Sequence, residues 1–139
     1  SNEVNCVQSG CHSSEQNIKN EHPEVPGFKL NSAELCARCH ASNALGTQGD
    51  SIAKSFSYRM HEKHHDIQPV NGIETCYKCH PGTNTQCFRD IMRTQGNMVC
   101  QNCHGTMEAI ANSIENGRRP WLDEPRCGSI TCHGSTYSE

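Results

Sequence analysis

Apolar residues are sparse in this chain, and where they cluster they do so at helical rather than strand spacing. Met107, Ile110, Ala111 and Ile114 fall at i, i+3, i+4 and i+7, one face of a helix, with Thr106 placed to cap it and Gly117 and Pro120 to stop it. Three further helices are predicted. Ser32 caps a short one that extends through His40, Asp50 caps a longer one to about Asp66, and Asn84 or Thr85 opens another that Gly96 ends. No run alternates strictly enough to predict a strand. Pro23, Pro26, Gly27, Gly46, Gly49, Pro81 and Gly82 mark the loops between. The expectation is a mainly α chain with long loops, little regular structure and no substantial β-sheet, forming one domain over residues 1–139.

Composition adds a difficulty. Only 33% of the 139 residues are hydrophobic, with three Phe, three Tyr and one Trp. So polar a chain exposes too little apolar surface to water when unfolded to offset the entropy of ordering it. Something other than side chains must complete the core. No stretch approaches the ~20 apolar residues of a membrane-spanning helix, so no membrane span is expected.

The cysteines and histidines say what completes it. Of 11 Cys and 9 His, random placement would give about one Cys-His step, yet five are present, each with another cysteine three or five residues earlier. Three sites are Cys36-Ala37-Arg38-Cys39-His40, Cys76-Tyr77-Lys78-Cys79-His80 and Cys100-Gln101-Asn102-Cys103-His104. Two are longer: Cys6 to Cys11-His12, and Cys127 to Cys132-His133. Five local disulfides would close loops too small to link distant segments and would leave the histidines unexplained. Zinc wants pairs of pairs, and five is odd. Covalent haem accounts for both halves of the motif. Two thiols add to the two vinyl groups on one porphyrin edge, and the following histidine projects over the ring centre to bind iron. Five haem c groups are therefore expected as the missing core, held by these ten cysteines with His12, His40, His80, His104 and His133 as proximal ligands.

Each iron wants a second axial ligand. The remaining histidines are His22, His61, His64 and His65, and all four are candidate distal ligands. His22 is the spare histidine near the first two motifs, and the other three share the helix predicted from Asp50. On a helix His61 and His65 lie about 40° apart while His64 and His65 diverge by about 100°, so they serve different irons. Four histidines leave one iron unmatched. The sulfur candidates are Met60, Met92, Met98, Met107 and Cys87, the cysteine outside the motifs. Met92 is the first choice, because the helix it shares with Cys87, Phe88 and Ile91 has no histidine. A ligand from another chain, an amine or an open site remain alternatives.

From Cys6 to His133 these residues resemble the multihaem c-type cytochromes of respiratory bacteria. The resemblance implies electron transfer through mostly bis-histidine, low-potential haems, rather than catalysis, in the periplasm or at the cell surface. It also admits a multihaem reductase with one open haem, or a protomer of a cytochrome filament. The chain is then a whole, already processed domain or a module of a larger cytochrome. The formal charge of −3 becomes roughly −8 with five ferric haems and their propionates, so redox partners with basic docking patches are expected. A homo-oligomer or larger cytochrome assembly fits the same resemblance. No basic stripe with interleaved aromatics points to nucleic acid.

Replacing Met92 by Ala should abolish a sulfur-to-iron band near the red end of the ferric spectrum and lower the highest haem potential. An unchanged ferric spectrum moves the fifth ligand to Cys87 or to another chain.

Overall fold

The computed structural model describes residues 12, 20–25, 33–70, 72–80 and 92–123. Among the described residues five α-helices are delimited: α1 (Ala33–Ala37), α2 (Phe56–His64), α3 (Ile73–Tyr77), α4 (Cys100–His104) and α5 (Met107–Glu115). Among the described residues there is no strand, and a single bridge joins Ser42 to Thr47. The chain is thus mainly helix and loop, in two compact units, residues 1–56 and 57–139. None of the described helices is long and apolar enough to cross a membrane.

The first unit is organised around the second Cys-Cys-His motif. α1 ends at Ala37 instead of running on to His40. Cys39 and His40 then both donate to the carbonyl of Cys36, at 3.2 and 2.9 Å, a tightened last turn that ends the helix. The loop 42–49 doubles back so that Asp50 N donates to Cys39 O at 2.6 Å and Phe56 N to Ala41 O at 2.9 Å. Gly49 makes the close approach possible. Its φ is +63°, and a Cβ there would press on the backbone of Cys39 and Ala41. Asp50 does not start a helix. Its Oδ1 accepts from Ile52 N at 3.2 Å and its carbonyl from Ala53 N at 3.1 Å, so its capping capacity is used in a local turn. The helix expected from Asp50 to about Asp66 begins at Phe56 and ends at His64, with His65 and Asp66 in the turn that follows.

In the second unit α3 and α4 carry the third and fourth motifs and pack on each other. Asn102 Oδ1 reaches back to accept from Val99 N at 2.7 Å, capping α4. Thr106 caps α5 as expected, its hydroxyl accepting from Ala109 N at 3.1 Å, and Gly117, at φ +105°, follows its end. Met92–Thr94 form a helical turn before Gly96, in agreement with the predicted stop, while the predicted start at Asn84 or Thr85 lies outside the described residues, as does Ser32. Beyond α5, Arg119 grips Asp123 through two side-chain bonds of 2.8 and 2.9 Å. The Arg119 guanidinium holds the Asp123 carboxyl down at about 2.

Among the described residues only Ala37, Ala111 and Thr75 are buried. Met107, Ile110 and Ile114, the apolar stripe of α5, are half-buried.

Gly49→Ala should destabilise the protein by more than about 1 kcal/mol, since it combines a left-handed backbone with a backbone clash. Gly46→Ala, also at positive φ but with nothing near the added Cβ, should cost less. Thermal denaturation of the two variants checks the order.

Candidate functional site

The second and third motifs fold alike. Arg38, Cys39 and His40 donate to Leu35, Cys36 and Cys36 carbonyls at 3.3, 3.2 and 2.9 Å. Lys78, Cys79 and His80 donate to Thr75, Cys76 and Cys76 carbonyls at the same three distances. In both, the first cysteine sits on the last turn of a short helix, half-buried, and the second is exposed. The fourth motif is helical throughout, with the same exposure of its two cysteines. Burial and the adjoining Cys100 push the Cys76 thiol up. None of the six is in a disulfide, so each thiol can bond to a group lying over the motif.

Neighbouring segments fix the motifs from behind. Lys78 Nζ donates to Gln68 O at 2.6 Å, and Thr75 Oγ1 donates to Pro69 O. His40 Nδ1 lies 2.6 Å from Lys54 O. A carbonyl oxygen only accepts, so Nδ1 carries the proton and Nε2 keeps its lone pair.

The same device recurs three times around α2. His61 Nδ1 donates to Ser57 O, His64 Nδ1 to Met60 O and His65 Nδ1 to Glu62 O, each at 2.7 Å. The first two reach back four residues along the helix. His65, just past its end, reaches back three. All three imidazoles are held in the tautomer whose Nε2 can bind a metal, by the outer contact that typically orients a metal-ligating histidine. Burial holds His61 below its ordinary pKa of 6.5, against the raising effect of its bond to Ser57, and the nearby His80, Arg118 and His64 act in the same direction as burial. It is neutral at pH 7, the form that ligates.

Two spare histidines meet two motif histidines. In the first unit the ring centres of His22 and His40 are 6.1 Å apart with planes at 84°. In the second unit those of His61 and His80 are 6.0 Å apart with planes at 28°. An imidazole nitrogen bonds a transition metal at about 2.0 Å and lies about 1.1 Å from its ring centre, so two imidazoles on opposite sides of one iron have centres about 6 Å apart. Simple aromatic packing covers that distance too. However, His80 is exposed and the other three rings are only half-buried, so packing alone gives little reason to hold them in place.

Among the described residues no three His, Cys, Asp or Glu side chains converge on one point, as a zinc site would need. The histidines meet in twos, the number of protein ligands a porphyrin iron accepts. Thiols, turn-projected histidines, anchored tautomers and paired rings together fit covalently held haem.

Beside the fourth motif lies a cleft of about 220 Å³ lined by Cys103, His104, Ala109, Ser113 and Arg118. Arg118 is fixed there, its Nε donating to Ser113 Oγ at 2.8 Å while Ser113 donates to Ile110 O at 2.7 Å. Arg118 was not legible as a site residue, nor were the carbonyls of Lys54, Ser57, Met60 and Glu62, since a backbone acceptor leaves no mark on composition. Met92 is half-buried. Cys6, Cys11, Cys127, Cys132, His133 and Cys87 lie outside the described residues, and of the first motif only His12 is described.

No family model, curated protein or solved structure matches the chain.

His22→Ala and His61→Ala should each convert a different iron in the haem-loaded protein, the ones held by His40 and His80 respectively, from six-coordinate low-spin to high-spin. Magnetic circular dichroism of the two variants checks this, and the double variant should show the sum of the two changes.

Proposed function

We propose that the chain is a pentahaem c-type cytochrome domain that carries electrons between redox proteins in the periplasm or at the cell surface. The observation that carries the reading is the pairing of a motif histidine with a spare histidine at an axial-ligand spacing, twice. The five Cys-Cys-His motifs and the small size of the side chains buried among the described residues support it.

Haem supplies reversible one-electron chemistry at iron, and the polypeptide tunes it. Cys36 and Cys39, Cys76 and Cys79, and Cys100 and Cys103 would hold three of the haems through thioethers. His40 with His22 would hold the second iron, and His80 with His61 the third. Hydrogen bonds from Nδ1 to Lys54 O and Ser57 O place partial negative charge behind the imidazoles and stabilise the oxidised metal, which favours low potentials. An iron held by two protein histidines would have no place for substrate, which suits a carrier of electrons. Arg118 offers a fixed cation to an acidic substituent of the group at the fourth motif. The acidic balance of the whole favours partners with basic docking patches, so encounter rates should fall as salt rises.

Two measurements test the reading. The intact mass should exceed the polypeptide by five haem units; a folded protein of unmodified mass overturns it. Electron paramagnetic resonance of the oxidised protein should then separate the two described iron sites. Imidazole planes at 84° act almost equally on two iron d orbitals and leave them nearly degenerate, giving a single strongly shifted low-field feature. Planes at 28° split those orbitals and give a rhombic, three-line signal. His22→Met should remove the first signal and His61→Met the second.

A further inference from the structure

After α5 the chain reverses through Arg119-Pro120-Trp121-Leu122, where Leu122 N donates to Arg119 O at 3.2 Å. Trp121 has a φ of +72°. A proline second and a left-handed residue third mark a type II turn, and glycine or asparagine ordinarily takes the third place because a bulky side chain is strained there. The turn is braced nonetheless. Asp123 N donates to Arg119 O at 2.9 Å, Arg119 N donates to Asp123 Oδ2 at 2.7 Å, and the Arg119 guanidinium donates to both carboxylate oxygens. Burial does not offset the strain, since Trp121 is 68% and Leu122 53% exposed. A strained, braced turn that projects its two large apolar side chains outward has the form of a preorganised anchor.

Area and charge decide what such an anchor enters. The two side chains offer roughly 250 Å² of surface, so two copies joined tip to tip would bury roughly 500 Å², well under the ~1,200 Å² of a stable interface. Copies of a chain with a formal charge of −3 also repel each other. An anionic membrane surface repels it likewise, and the cations beside the tip are already engaged, Arg118 with Ser113 and Arg119 with Asp123. The Arg119–Asp123 pair leaves the tip itself neutral, so its contact is apolar, while the acidic balance of the whole chain favours basic groups around that contact. A small apolar contact within a charge-steered encounter is the pattern of transient complexes between redox proteins. Resting on the electron-carrier reading for the class of partner, we propose that the turn from Arg119 to Asp123 docks a redox protein through an indole-sized apolar pocket ringed by basic side chains. Trp121 fills the pocket and Leu122 covers its edge. The brace holds the tryptophan in place before encounter, which lowers the ordering cost of association.

The test uses the holoprotein after its mass has shown five haems, so that loss of the cytochrome reading and loss of this one are separable. The probe is β-cyclodextrin, whose apolar cavity admits an indole, in its neutral form and in a form carrying an amino group on every sugar. Isothermal titration calorimetry at low salt should show the amino form binding several-fold more tightly than the neutral form, with the gap closing as salt rises. Trp121→Gly should weaken both at least tenfold. The same variant should raise the thermal midpoint, because glycine takes a positive φ without strain. A tryptophan packed into its own protein, or against its own haem, would give the opposite shift. No binding by the wild type, equal binding of the two forms, binding unchanged in Trp121→Gly, or a lowered midpoint overturns the proposal. So does co-sedimentation of the wild type with vesicles of phosphatidylcholine and phosphatidylglycerol, or a wild-type dimer that Trp121→Gly dissociates, since either assigns the tip a different occupant.

Discussion

The described residues bury little of their own. Ala37, Ala111 and Thr75 are the buried positions among the described residues, and such small groups contribute little of the apolar burial that ordinarily offsets chain entropy. Two of the three are close to attachment points. Ala37 lies inside the second motif and Thr75 immediately before the third. Longer apolar side chains such as Met107, Ile110 and Ile114 are half-buried. On the proposed reading, large rigid porphyrins cover such side chains and folding is inseparable from porphyrin attachment. Met107, Ile110 and Ile114 are then a haem-facing surface instead of a failed core.

With so little packing to hold side chains, hydrogen bonds to the backbone do the positioning. Each histidine on or just after α2 is tied through Nδ1 to a carbonyl three or four residues earlier. Of these carbonyls only that of Glu62 lies among the last four of the helix, which lack an amide of the next turn. Those of Ser57 and Met60 lie earlier in it, so the bonds from His61 and His64 set tautomers without serving an end carbonyl. His40 obtains the equivalent from Lys54 O, a residue brought near by the return of the 42–49 loop over Gly49.

What was legible in the sequence was local. The motifs, the α5 stripe with its Thr106 cap, the concentration of histidines on one helix and the lack of strands could all be read from spacing. Asp50 misled because an aspartate caps a helix and an Asx turn by the same chemistry, and only the return contact of Phe56 N with Ala41 O decides between them. α3 and α4, five residues each, are too short to show a period. The pairings of His22 with His40 and of His61 with His80 are tertiary, and no single-sequence pattern encodes which partner a residue meets.

The ligand count bears on direction. On the proposed reading, His22 and His61 face the histidines of the second and third motifs, and the Nδ1 anchoring of His64 and His65 would suit them to two more irons. Four spare histidines fall one short of five irons, which leaves one iron to a sulfur or amine ligand, to another chain or open. If that ligand is a thioether, such as the half-buried Met92, its iron favours the reduced state relative to the bis-histidine centres. A chain of equivalent sites has no preferred end, whereas one dissimilar site gives electrons a place to rest. The shortfall of a single histidine would thereby turn a symmetric conduit into one with a terminus.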